Sequence, residues 1–195
     1  VSQLGGSVDM KAELIDIQES NLEMILDWRN KENIRSVMYN DELINWTQHL
    51  EWYHSLEKSK NKLSKIFSVN DTPVGIVNFN NIDEVNLHCY WGFYIGAENT
   101  SKGTGLLLGL VALDYIFTNY PLVKVYGEVL ESNNISIRYH EKLGFKKEGI
   151  LRAHIKRKDF FENVHVFSIL RDEWLENKAI ITDEVNKIFN IKVIK

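Results

Sequence analysis

Asn99 to Gly109 reads NTSKGTGLLLG, two glycines one residue apart between one apolar run and another. A glycine pair between a strand and the first turn of a helix admits positive φ and lets the backbone approach a ligand closely. The first amides of such a helix lack internal acceptors, and the helix dipole adds about half a positive charge there. That end suits a phosphate. Two known phosphate loops are excluded by spacing. The P-loop needs GxxxxGK followed by Ser or Thr, which is absent. The dinucleotide fingerprint needs GxGxxG between parallel strands, whereas Gly103, Gly105 and Gly109 give GxGxxxG. Taken alone, the loop can equally be a plain turn.

Working outward, His88 to Ile95 (HCYWGFYI) reads as a long strand, and Thr104 to Asn119 as a helix apolar on most sides and therefore buried. Before them, Lys11 to Ile17 alternates apolar and polar residues as a strand does. Helical spacing follows from Leu22 to Asn33 and again from Trp46 to Ser59. Leu63 to Asn70 and Val74 to Ile82 form a hairpin, with Asp71, Thr72 and Pro73 as its turn. After the buried helix come a strand (Val123 to Leu130) and a short helix (Asn133 to Leu143) stopped by Gly144. A final hairpin covers Gly149 to Arg157 and Asn163 to Leu170, and a helical tail ends near Phe189. The order is strand, two helices, three strands, helix, strand, helix, two strands. This is an α/β arrangement whose first half is mostly antiparallel.

The chain has 195 residues, room for one domain with a sizeable core, and its two prolines leave no proline-rich linker to divide it. One domain is expected over residues 10–195, with residues 172–195 helical. The segment VSQLGGSVD before Met10 looks like a cloning remnant, since a targeting peptide needs a basic start and an apolar core. A net charge of −4 speaks against a nucleic-acid partner. The run Lys156, Arg157, Lys158 reads as a solvated turn. No apolar run reaches the roughly 20 residues that span a membrane, so no membrane association is expected. Cys89 is the single cysteine, which excludes an internal disulfide and fits a reducing cytoplasm. No metal site is expected.

About thirty residues after the glycine loop comes ESNNISIRYHEKLGFKKEG, Glu131 to Gly149. An apolar-aromatic strand, a loop of the form Gln/Arg-x-x-Gly-x-Gly/Ala, a helix, a strand, then an Asn-containing turn and a helix ending in Leu-Gly-Phe resembles the GNAT superfamily of N-acetyltransferases. The resemblance runs from about Leu14 to Leu170. It implies a mixed, mostly antiparallel central sheet with helices on both faces. It also implies acetyl coenzyme A as cofactor, with its pyrophosphate on the amides of Lys102, Gly103, Thr104, Gly105 and Leu106. Thr100 stands where the family has Gln or Arg, which leaves the contacts to the backbone and to Lys102. The free edge of Phe93, Tyr94 and Ile95 would pair with the pantetheine arm, and Asn133 would contact that arm or cap its helix.

The family often places a tyrosine seven residues after that asparagine, as general acid toward the leaving thiolate. His140 holds the position here. Neighbouring helix residues diverge by about 100°, so His140 rather than Tyr139 faces the sulfur, and an ordinary imidazole pKa near 6.5 suits the task. Glu128, near the end of its strand, is the expected base for the acceptor amine.

The acceptor side carries WRNKENIRSVMYNDELINWTQHLEWYHSL, Trp28 to Leu56. Its WRN, MYN and His-Leu elements resemble the sugar-nucleotide N-acetyltransferases of pseudaminic acid biosynthesis. That likeness implies acetylation of the 4-amino group of a UDP-linked amino-dideoxy sugar. Met38, Tyr39, Trp52 and Tyr90 would line the pocket, and a homodimer is conceivable. Two alternatives stand beside it. One is a ribosomal-protein N-terminal or polyamine (spermidine) acetyltransferase, with Asp41 and Glu42 facing the polyamine. The other is a degenerate acetyltransferase fold used as a binding module.

Overall fold

The computed structural model describes residues 9–191. Its elements in chain order are β1 (Ala12–Asp16), α1 (Leu22–Asn30), α2 (Glu32–Arg35), α3 (Trp46–Lys58), β2 (Leu63–Val69), β3 (Thr72–Asp83), β4 (His88–Ile95), α4 (Thr104–Asn119), β5 (Lys124–Leu130), α5 (Asn134–Leu143), β6 (Lys146–Lys156), β7 (Phe161–Leu170) and α6 (Arg171–Phe189). Residues 1–8 of the expected N-terminal remnant, and residues 192–195 of the expected helical tail, lie outside the described residues.

One seven-stranded sheet runs in the order β1-β2-β3-β4-β5-β7-β6. Every neighbouring pair is antiparallel except β4 with β5. The mixed, mostly antiparallel α/β sheet expected from the sequence is therefore present. Strand alternation splits the core in two. Cys89, Trp91, Phe93 and Ile95 of β4 join the larger cluster with Leu107, Leu113 and Ile116 of α4 and Trp174 of α6. Tyr94 and Ile76 instead face Leu22, Ile25 and Trp28 of α1 and the apolar side of α3. The period of two in HCYWGFYI thus sends odd positions to one helical layer and even positions to the other.

Several elements differ from the sequence reading for identifiable reasons. The β2–β3 turn is Asn70–Asp71, both at positive φ (49° and 63°), as a two-residue primed hairpin requires. Pro73 is therefore in β3, opposite Ser68, where the register slips, the kind of irregular position at which a sheet tolerates proline. The first helical stretch breaks at Lys31, whose extended backbone separates α1 from α2. Lys31 Nζ donates to the Gly96 carbonyl at 3.0 Å and pairs with Glu98 at 2.9 Å, tying this break to the loop after β4. Helix α6 begins at Arg171, one residue before the helical tail expected from residue 172. The Arg171 guanidinium donates to the carbonyls of Phe117, Tyr120 and Leu122 at the end of α4. These include carbonyls that a helix end leaves without internal donors.

Candidate active site

The parallel pairing of β4 and β5 covers only His88↔Lys124, Cys89↔Val125 and Tyr90↔Tyr126. Beyond that step the strands part, while β4 stays paired with β3 as far as Ile95. The Trp91–Ile95 edge is consequently open toward β5. At the first unpaired step a Cβ on Gly127 would lie 2.9 Å from the Trp91 indole. Glycine there is what lets the indole occupy the base of the wedge.

Two adjoining cavities open from this wedge. One, of about 330 Å³, lies between the strands and is lined by Tyr39, Glu128, Asn133, Ser136 and His140 among others. The second, of about 370 Å³, lies under α1 and α3 and is lined by His49, Trp52, Asn78, Asn80 and Tyr94. Arg29, Met38, Tyr90, Gly92 and Phe93 line both. Of the residues expected on the acceptor side, Met38 and Tyr90 thus sit at the junction, Tyr39 on the wedge side and Trp52 on the far side. Burial pushes the Tyr90 phenol up to about 12, so it is a neutral donor. Trp52 stacks on His49, ring centroids 5.1 Å apart at 20°.

Glu128 and Tyr39 meet: the Tyr39 hydroxyl donates to the Glu128 carboxylate. Burial and this bond push the Tyr39 phenol above its ordinary value, so it holds its proton. Asn133 is the N-cap of α5, its Oδ1 accepting from the Ser136 amide at 3.1 Å. Asn133 also lines the wedge cavity, and the cap uses only its oxygen, so capping and ligand contact are compatible.

His140 departs from the role expected of it. It is 3% exposed, packed against Trp91, Phe145 and Phe167. Its Nδ1 lies 2.7 Å from the Ser136 carbonyl, which can only accept, so Nδ1 carries the proton. Its Nε2 receives the Trp91 indole N–H at 3.2 Å, which can only donate, so Nε2 is bare. Burial lowers the pKa to about 4. The ring is neutral, and its one proton is committed to the backbone. A general acid toward a thiolate needs a free proton, and His140 has none. Tyr139 is engaged as well, donating to the Gly105 carbonyl at 2.7 Å.

The glycine loop keeps the form of an anion cradle, with one correction. Gly103 is the N-cap of α4 in the left-handed region, φ 92°, a conformation that side chains resist. The Thr104 amide, however, donates to the Ser101 carbonyl at 3.1 Å, as does its hydroxyl at 2.7 Å. That amide is spent. The amides of Gly105 and Leu106, in the first turn, have no helical carbonyl behind them. Lys102 is exposed beside them. The space above Gly103 is also not empty: a Cβ there would meet Ile188 of α6 at 2.7 Å. The end of α6 packs on the loop.

Two cavity residues escaped the sequence reading. Arg29, within WRN, donates through Nη2 to the Asn40 carbonyl at 2.8 Å, while its Nη1 is buried without a hydrogen-bond partner. Burial pushes its pKa below the ordinary guanidinium value. His49 is buried with one ring nitrogen 2.8 Å from the Leu22 carbonyl, and burial lowers its pKa. Arg29 falls at helical spacing after Leu22, Ile25 and Leu26; an arginine in such an apolar register is the signal that could have revealed it. Asp41 and Glu42 are exposed and line neither cavity; Asp41 lies 3.4 Å from Arg157.

Among the described residues no cluster of three or more His, Cys, Asp or Glu could hold a metal, and no helix is long and apolar enough to cross a membrane.

An open wedge between two parallel strands, with a left-handed glycine cap just beyond one of them, is the arrangement expected of an acetyl coenzyme A site. The sequence matches the acetyltransferase (GNAT) domain family over residues 14–162, and the chain belongs to that family. It is an N-acetyltransferase that uses acetyl coenzyme A. Among its relatives, the N-acetyltransferase p20 of Bacillus licheniformis is 33% identical over 120 residues, 62% of this chain and 67% of the relative. The spermidine N(1)-acetyltransferase of Vibrio cholerae is 25% identical over 162 residues, 82% of this chain and 92% of the relative. The crystal structure of spermidine N-acetyltransferase from Vibrio cholerae in complex with CoA and spermine superimposes with a TM-score of 0.79. It is 23% identical, covering 84% of this chain and 98% of that one.

Proposed function

We propose that the acceptor is a small-molecule amine that also carries an anionic group, and that a UDP-linked amino-dideoxy sugar of the pseudaminic acid type fits best. The observation that carries this reading is the Arg29 Nη1, buried without a partner at the junction of the cavities. No carboxylate lines the larger cavity. A buried cation short of a counter-charge favours a ligand that brings one, and it repels a polycation. Trp52, Tyr90 and Tyr94 supply flat apolar surface for a deoxy sugar or a base, while Asn78, Asn80 and Gln48 supply hydrogen bonds.

Acetyl coenzyme A supplies an activated acetyl group, and transfer forms the N–C bond as the C–S bond breaks. The amides of Gly105 and Leu106, with Lys102, would hold its phosphates, and the open edge of Phe93, Tyr94 and Ile95 its pantetheine arm. Glu128 takes the proton that an acceptor ammonium must lose before attack, while the Tyr39 hydroxyl orients its carboxylate. A second amine proton leaves nitrogen as the amide forms and neutralises the departing thiolate, so no separate acid is needed from His140.

The polyamine reading is supported by the likeness to the Vibrio cholerae spermidine acetyltransferase. Against it stand Arg29 in the cavity and the distance of Asp41 and Glu42 from either lining. A thiol-release assay with a UDP-4-amino-4,6-dideoxy sugar, spermidine and ribosomal-protein peptides separates the readings. Turnover with the nucleotide sugar supports the proposal; turnover with spermidine alone ends it.

A further inference from the structure

In the run Lys156, Arg157, Lys158 the two lysines are exposed, as expected of a solvated turn, but Arg157 is not. The Arg157 side chain is only 9% exposed and that of Glu162 only 6%. Arg157 Nε donates to Glu162 at 3.1 Å across the tip of the β6–β7 hairpin. Its Nη2 donates to the Met38 carbonyl at 3.1 Å, and Nη1 reaches the Tyr39 carbonyl at 3.4 Å. Glu162 in turn accepts from the Ser132 amide at 3.0 Å and from the Ser132 hydroxyl. Ser132 directly precedes Asn133, the cap of α5. One ion pair therefore touches the acceptor loop with one member and the β5–α5 turn with the other.

We infer that Arg157 and Glu162 are positioning residues that set the acceptor loop against the β5–α5 turn, and with it the Tyr39–Glu128 contact. The loop between α2 and α3 has no ladder to satisfy its carbonyls, which must find other donors. Four consecutive carbonyls are met by arginines: Met38 and Tyr39 by Arg157, Asn40 by Arg29, Asp41 by Arg35. Arg29 and Arg35 belong to the neighbouring helices. Arg157 alone comes from the far half of the chain, and it holds the residue whose hydroxyl meets Glu128. A guanidinium fork can serve a carboxylate and two carbonyls at once in fixed geometry; an ammonium cannot. Burial opposes the charge on Glu162, but the bonds from Ser132 and Arg157 outweigh it and hold the carboxyl below its ordinary value. The pair thus stays ionised while enclosed. This inference concerns how the loop is held and does not depend on which amine is the acceptor.

The test is amide hydrogen exchange, read by segment on the full chain for wild type, Arg157→Lys and Glu162→Gln, each with coenzyme A present. Arg157→Lys should speed exchange in residues 38–44 by about tenfold or more with β2 and β3 unchanged; Glu162→Gln should loosen 38–44 and 131–136 together. With the amine that the wild type acetylates, Arg157→Lys should raise the acceptor KM by roughly tenfold and leave the coenzyme A Kd within about twofold. Unchanged exchange in both segments would overturn the inference. So would faster exchange spread evenly over the sheet with a lower melting temperature, which marks a pair that only stabilises the fold. If no amine in the panel reacts, the exchange result still decides this inference, while the functional proposal fails on its own.

Discussion

The Tyr39 hydroxyl donates to the Glu128 carboxylate, joining residues 89 positions apart across the mouth of the wedge. The contact places a carboxylate, with a hydroxyl that orients it, in the wedge beside the open edge of β4. Replacing Glu128 by Gln keeps the shape and removes the proposed base. Turnover should fall by roughly 10²–10⁴, with coenzyme A affinity unchanged by calorimetry. Tyr39→Phe should cost less, on the order of tenfold in kcat, because the carboxylate survives with one guide fewer. Equal activity for Glu128→Gln and wild type would remove Glu128 from the chemistry.

His140 offers a prediction of opposite character. The imidazole is neutral in the fold, with a pKa near 4, whereas in the unfolded chain it returns to about 6.5. Its contribution is complete above pH 6.5 and is lost as the pH falls toward 4, because only the unfolded chain takes up the proton. The loss is on the order of 3 kcal/mol across that window. His49, whose pKa is also lowered by burial, acts in the same sense. Urea unfolding of wild type and His140→Phe at several pH values should show a shallower decline for the variant. Its turnover per folded molecule should stay near wild type; a large loss of turnover with normal stability would restore an acid role.

Arg29 tests the acceptor class. Arg29→Met fills similar volume without the charge. With an anionic acceptor, the KM should rise roughly 10- to 100-fold, as expected when a charge-assisted bond to a buried group is removed. The KM for acetyl coenzyme A should hold. An improved KM for spermidine in this variant would indicate that the wild-type cation excludes polyamines.

Gly103 can be tested together with Ile188. Gly103→Ala imposes a side chain at φ 92° and 2.7 Å from Ile188 Cγ2. A loss of roughly 1–2 kcal/mol is expected from the left-handed conformation and the crowding together. Adding Ile188→Ala should recover only the steric part in a double-mutant cycle. Coupling of zero would show that α6 does not press on the loop.

The alternation of HCYWGFYI, the apolar helix behind the glycine loop and the cap Asn133 were readable in the sequence, since each depends on residues near in the chain. Period, cap and turn chemistry are local properties, and they located β4, α4 and α5 within a few residues. What the sequence left open depends on distant partners. Whether His140 is an acid or a packed ring is decided by Trp91, 49 positions away, which gives its only proton to Nε2. Whether Arg157 is solvated is decided by Glu162 and by the carbonyls of Met38 and Tyr39, at the other end of the chain. A side chain's protonation and exposure follow from the dielectric and the partners around it, and these exist only once the chain is folded. Sequence alone therefore established the scaffold of this acetyltransferase and the place of its glycine loop between β4 and α4. The roles of its histidine and arginines were decided by tertiary packing.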